Sequence, residues 1–223
     1  MATQDIQIGI GALELAGTFG FPTGAHGLVM FAHGSGSNRH SPRNRHVAQM
    51  LHDRGLATLL IDLLTPAEDY IDRFEATLHP EVEMLAERLV AATDSVIASG
   101  RARDLPIGYF GGSTGAAAAL IAAARRPDQI AAVVSRGGRL DLAIPCLPHV
   151  KAPTLLIVGG EDRGIAQLNR EAVTKLTAPH RIVIVNGATH LFEEPGALDQ
   201  VGNLAANWFL DHFARPSLAH VAS

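Results

Sequence analysis

The chain has only one cysteine, Cys146, which excludes an internal disulfide and any cysteine-rich zinc site. It has no His-Glu-x-x-His, paired-cysteine or Gly-x-x-x-x-Gly-Lys-[Ser/Thr] pattern, so metal and nucleotide chemistry have no motif, and neither a cofactor nor a metal ion is expected. No apolar run reaches the roughly 18 residues of a membrane span. Met1-Ala2-Thr3-Gln4-Asp5 lacks the basic region and apolar run of a secretory signal. Charge of one sign is not in large excess. Lys and Arg number 18 against 22 Asp and Glu, a net −4 that gives no reason to expect nucleic acid or an anionic membrane as partner. A cytoplasmic protein acting on a small molecule is the expectation, with monomer and homodimer both open. Neither an internal repeat nor a Gly-, Ser- or Pro-rich linker divides the 223 residues, and 47% apolar content is normal for one globular unit. Residues 1–223 are therefore read as a single domain, fraying over 214–223.

What is present is an alternation of apolar runs and helical patterns. Ile6, Ile8 and Ile10, then Leu13 to Phe19, read as an antiparallel hairpin at a sheet edge. Buried strands follow at Gly27–Ala32, Ala57–Ile61, Pro106–Phe110, Ile130–Ser135, Thr154–Val158 and Arg181–Val185. Between them lie helix patterns at Pro42–Arg54, His79–Gly100, from Ala116, Ile165–Leu176 and Ala197–Phe213. Residues 63–78 are irregular, with a weak helix start at Thr65-Pro66, and are the place for a small lid. Strand and helix alternating from residue 27 onward require an α/β fold, a mostly parallel sheet with helices on both faces.

Tyr109-Phe110-Gly111-Gly112-Ser113-Thr114-Gly115 runs straight into a helix of nearly pure alanine. A strand, a Gly-x-Ser-x-Gly turn and a helix in succession form a nucleophile elbow, which lifts the serine hydroxyl clear of the sheet. Gly111 and Gly115 supply room where strand and helix backbones nearly touch. A serine hydroxyl needs a base to take its proton, and the base needs a carboxylate to fix its tautomer. Ser113, Asp162 and His190 each follow a strand's C-terminal end, in that chain order, and catalytic groups of open α/β sheets collect there. Glu161, Asp62 and Asp141 are rival acids, and Asp162 has a bland alternative as a cap for the following helix. In His33-Gly34-Ser35-Gly36 the backbone N–H of Ser35 or Gly36 would join that of Thr114 in an oxyanion hole.

These motifs, together with Gly159-Gly160-Glu161-Asp162 and Gly187-Ala188-Thr189-His190, resemble the α/β-hydrolase superfamily, and more narrowly the dienelactone-hydrolase-like proteins, over nearly the whole chain. The resemblance implies about eight strands with an antiparallel start, little or no cap, and a Ser113/Asp162/His190 triad. Dienelactone hydrolases proper carry cysteine at the nucleophile position, so Ser113 turns the expectation toward general hydrolysis of a small ester or lactone. Similar domains also occur fused to phosphoribosyltransferase domains, for which this chain, starting at the hydrolase, is expected to leave no room. An acyltransferase or perhydrolase using the same acyl-enzyme, and a non-catalytic binder of a small ligand, are the alternatives.

Arg39, Arg43 and Arg45 crowd the segment just after the expected oxyanion loop, and Arg136 leaves the strand next after the elbow strand. Arg39 or Arg136 is a candidate to hold a substrate carboxylate through its two-pronged guanidinium. The bland alternative pairs these arginines with Asp62 or Glu68.

Overall fold

Alternation within each strand decides which face of the sheet a residue serves. In β5 (Ile107–Gly112), Tyr109 joins one apolar layer and Phe110 the other. The computed structural model describes residues 3–74 and 82–213. Eight strands form one sheet in the order β1-β2-β4-β3-β5-β6-β7-β8. The hairpin of β1 (Thr3–Ile10) and β2 (Leu13–Gly20) forms one edge, and β2 pairs antiparallel with β4 (Ala57–Ile61). From there on β4, β3 (Leu28–Ala32), β5, β6 (Ile130–Arg136), β7 (Thr154–Gly159) and β8 (His180–Val185) run parallel.

Parallel strands need crossover connections, and helices on both faces supply them. On one face lie α3 (Val82–Ala98) and α4 (Thr114–Arg125), against Met30, Leu59, Tyr109 and Val133. On the other lie α1 (Pro42–Asp53) and α6 (Ala197–Phe213), against Val29, Phe31, Phe110 and Ile157. Phe31 and Phe110 meet there with ring centroids 4.9 Å apart. The alanines of α4, Ala116 to Ala119, are fully buried, and their small size lets the helix lie close to the sheet. This is the α/β-hydrolase arrangement, with no cap domain among the described residues.

Several boundaries differ from the sequence reading. β5 runs to Gly112, two residues further than expected, because Gly111 and Gly112 stay in register with Ser135 and Arg136 of β6. The helix expected at Ile165–Leu176 begins earlier, as α5 (Arg163–Ala172), and finishes as a 3-10 turn, Val173–Lys175. The irregular stretch contains a true helix, α2 (Pro66–Phe74). Its start is a capping box: Thr65 N donates to Glu68 Oε2 at 2.8 Å, and Glu68 N donates to Thr65 Oγ1 at 3.4 Å. Arg88 of α3 then grips both Glu68 oxygens at 2.7 Å and holds that carboxyl down at a pKa of about 2. Residues 75–81, with the expected helix start at His79-Pro80-Glu81 and the rest of the suggested lid, lie outside the described residues, as do 214–223.

Candidate active site

Ser113 sits between β5 and α4 with φ 51° and ψ −121°, a backbone conformation that non-glycine residues rarely adopt. Holding it costs on the order of 1–3 kcal/mol, which the surroundings must offset. They do so with three backbone bonds. Ser113 N donates to Arg136 O, and Ser113 O accepts from Ala116 N and Arg139 N, all at 3.1 Å. The two flanking glycines have separate reasons to lack a side chain. A Cβ on Gly111 would lie 2.4 Å from Ala116 Cα, so it keeps strand and helix together as the sequence suggests. A Cβ on Gly115 would lie 2.2 Å from Ala32 O, so this glycine makes room for the end of β3 rather than for its own strand.

The loops after β7 and β8 are stitched to each other. Gly160 N donates to Val185 O at 2.8 Å and Glu161 N to Ala188 O at 3.0 Å. That stitching brings Asp162 Oδ2 to 2.6 Å from His190 Nδ1, with the carboxylate mostly buried and the imidazole side chain 38% exposed. Asp162 holds the N-cap position of α5 but makes no side-chain cap bond. Two of the three rival acids are occupied elsewhere: Asp62 accepts from Arg39 N and pairs with the Arg39 guanidinium, and Asp141 pairs with Arg139. Glu194, which the sequence reading passed over, accepts the Thr189 N–H at 3.0 Å and so steadies the histidine's loop. Among the described residues the His190 ring is hydrogen-bonded through Nδ1, and no hydrogen bond links it to Ser113. Bonds of the latter kind are often open before substrate binds.

The oxyanion loop is arranged differently from the expectation. Ser35 N donates to Thr114 Oγ1 at 3.0 Å, and Gly36 N donates to Asp72 Oδ2, on α2, at 2.9 Å. Both expected donors are thus already engaged. Behind them His33 is buried and held neutral, its pKa pushed down to about 4 by burial, with Asn44 Nδ2 2.7 Å from its Nδ1. A cavity of about 430 Å³ opens beside this loop, walled by His33, Gly34, Ser35, Arg39, Asp62 and Leu63 among others; Ser113 and His190 are not part of its wall.

Of the two arginines proposed to meet substrate, Arg39 is taken up by Asp62. Arg43 is likewise paired, with Glu193 at 2.6 Å. Arg136 differs. Its Nε and Nη1 are buried without a partner among the described residues, and its guanidinium carbon stands 6.0 Å from the centre of the Phe192 ring. Burial, with Arg43 nearby, lowers its pKa to about 10. Its Nη2 also lies 2.9 Å from where a Cβ on Gly112 would be, one residue from Ser113.

Comparison with known proteins gives the chain's relations. A family model described as the dienelactone hydrolase family matches residues 15–210. A Mycobacterium tuberculosis protein provisionally named a phosphoribosyl transferase is 49% identical over 213 residues, which are 96% of this chain and 47% of the relative. The chain thus spans about half the length of the curated relatives it matches. A crystal structure of a dienelactone hydrolase from Anabaena variabilis superposes with a TM-score of 0.92 at 52% identity, covering 95% of this chain and 98% of that one. Est1E from Butyrivibrio proteoclasticus shares the fold at a TM-score of 0.79 and 15% identity, over 95% and 99% of the two chains.

Proposed function

The chain belongs to the dienelactone hydrolase family, whose fold and activity are of the hydrolase type, and from that premise we propose that it cleaves small carboxylic esters or lactones through an acyl-enzyme on Ser113. One observation carries the reading: the Asp162 carboxylate leaves its own helix uncapped and binds His190 Nδ1 instead. That bond fixes the tautomer in which Nε2 is the free base. His190 then takes the Ser113 proton as Oγ attacks the carbonyl carbon. The tetrahedral oxyanion accepts the Thr114 N–H at the start of α4, where helix geometry leaves it unpaired and the helix dipole is positive. Collapse expels the alcohol, which leaves with the proton from His190, and water repeats the sequence on the acyl-enzyme.

Arg136 is the residue in this reading that would hold an acidic group on the substrate, since Arg39 is already neutralised by Asp62. The cavity beside the oxyanion loop would receive the part of the ester remote from that charge. The transferase name of the mycobacterial relatives belongs to proteins about twice as long, and this chain matches 47% of them.

The test is labelling with a fluorophosphonate probe together with ester turnover, in wild type and Ser113→Ala. Wild type is expected to label and the variant not to, with turnover falling by up to about a millionfold. Turnover retained in Ser113→Ala would overturn the assignment, and a wild type that neither labels nor turns over would mean a binding protein on a hydrolase fold.

A further inference from the structure

A backbone N–H has one hydrogen, and the two N–H groups expected to complete the oxyanion hole have each given theirs to a side chain of this chain, Ser35 to Thr114 and Gly36 to Asp72. The Thr114 N–H alone is a thin hole, because stabilising a tetrahedral oxyanion generally takes at least two aimed donors. On the reading of Ser113 as nucleophile, we infer that the side-chain hydroxyl of Thr114 is itself the second donor, so that Thr114 contributes both its N–H and its O–H to the oxyanion.

The geometry supports this in three steps. A hydroxyl offers one proton and two lone pairs. Ser35 N, at 3.0 Å, fills one lone pair of Thr114 Oγ1, and Ser35 Oγ, at 3.3 Å, is placed to fill the other. When Ser35 Oγ is the donor of that pair, both lone pairs are met from the Ser35 side, the proton is free to point away from that residue, and a hydroxyl that accepts becomes a better donor. Thr114 Oγ1 lies close to the nucleophile. The point where Gly34 would carry a Cβ lies 3.1 Å from Ser113 Cβ and 3.5 Å from Thr114 Oγ1, and a real Cβ there would also stand 2.8 Å from Gly112 O. Glycine at position 34 therefore lets this loop pack closely against Gly112 and Ser113, with Ser113 Cβ and Thr114 Oγ1 beside the same point. No proton is transferred: Thr114 keeps its O–H throughout and only hydrogen-bonds to the negative oxygen. The Ser35 N–H acts through Thr114, as a positioning group that locks the hydroxyl's rotamer.

The opposite reading makes the hydroxyl a plug that blocks the Ser35 N–H until it rotates away, and the two readings differ in the sign of the effect of removing it. The experiment measures steady-state turnover of a p-nitrophenyl ester and the affinity of a phenylboronic acid, a tetrahedral adduct-former, in wild type, Ser113→Ala, Thr114→Val, Thr114→Ala and Thr114→Ser, with thermal melts as the check on folding. Thr114→Val keeps the shape and removes the proton. It is expected to lower kcat about 100-fold with KM within about threefold, and boronate affinity should fall in step. Thr114→Ser restores the hydroxyl and is expected to recover kcat to within about tenfold of wild type. If the valine variant fails to fold, the alanine and serine pair decides the question. Turnover in Thr114→Val or Thr114→Ala equal to or above that of wild type, with Ser113→Ala inactive, overturns the inference while leaving the nucleophile in place. Turnover in Ser113→Ala overturns both.

Discussion

Asp162 Oδ2 stands 2.6 Å from His190 Nδ1 although Asp162 occupies the N-cap of α5, where a carboxylate usually bonds its own helix. The uncapped helix start is a cost the site bears to orient the imidazole. Asp162→Asn is therefore expected to keep the fold and the melting temperature, because its helix loses no cap, while kcat falls by roughly ten-thousandfold as the amide favours the wrong histidine tautomer. Turnover and melts of this variant beside Asp62→Asn check the assignment. A larger loss of turnover in Asp62→Asn would transfer the acid's role to Asp62.

Gly115→Ala is expected to damage stability and activity together. Its new Cβ would meet Ala32 O at 2.2 Å, and that atom is backbone in a central strand, with no rotamer to move. Overpacking of this kind costs about 1–3 kcal/mol. Because β3 leads into the oxyanion loop, the displaced strand should carry Gly34 and Ser35 with it. A melting curve and a kcat measurement on the same preparation test this; an unaltered melting temperature would contradict it.

Arg136→Met separates the arginine's two effects. Removing a buried charge with Nε and Nη1 unpartnered is expected to leave the melting temperature unchanged or raise it. The same change should raise KM for an ester bearing a free carboxylate, and not for its neutral amide analogue. In wild type that preference should weaken with added salt. A preference surviving in Arg136→Met would remove Arg136 from the substrate's surroundings.

The pH dependence of stability should carry the mark of His33. Burial lowers its pKa from 6.5 to about 4, opposed by Asp62 and reinforced by Arg136, Arg39 and His40. The unfolded chain therefore binds a proton on this residue below about pH 6.5 while the folded one does not until about pH 4. The stabilisation is complete above the higher value and is lost as the pH falls between the two, by roughly 3 kcal/mol at most. Denaturant melts of wild type and His33→Gln across this window should converge as the pH falls. Curves that stay parallel would show that His33 does not titrate with folding.

The sheet and the elbow were legible because both are local patterns. Apolar runs bounded by turns mark the strands, and Gly-x-Ser-x-Gly between a strand and an alanine helix marks the turn. α2 was harder only because its capping box, Thr65 with Glu68, was outweighed by the irregular residues around it. The engagement of Ser35 by Thr114, 79 positions along the chain, and of Gly36 by Asp72 has no sequence pattern at all, since both depend on how loops from separate crossovers come to rest. The arginines show the same limit. Nothing in the spacing of Arg39 and Arg136 tells that one has Asp62 beside it and the other an aromatic ring.

The placement of β3 between β4 and β5 sets a timetable for synthesis. Its Leu28–Ala32 edge can pair with β4 once residue 61 has emerged, but its other edge has no partner until β5 is complete at residue 112. At about 5–20 residues per second the ribosome needs roughly 3–10 s to make the intervening chain. Through that interval an apolar strand edge stands open to any other nascent chain. Synthesis therefore passes through a stage at which this edge is open to association.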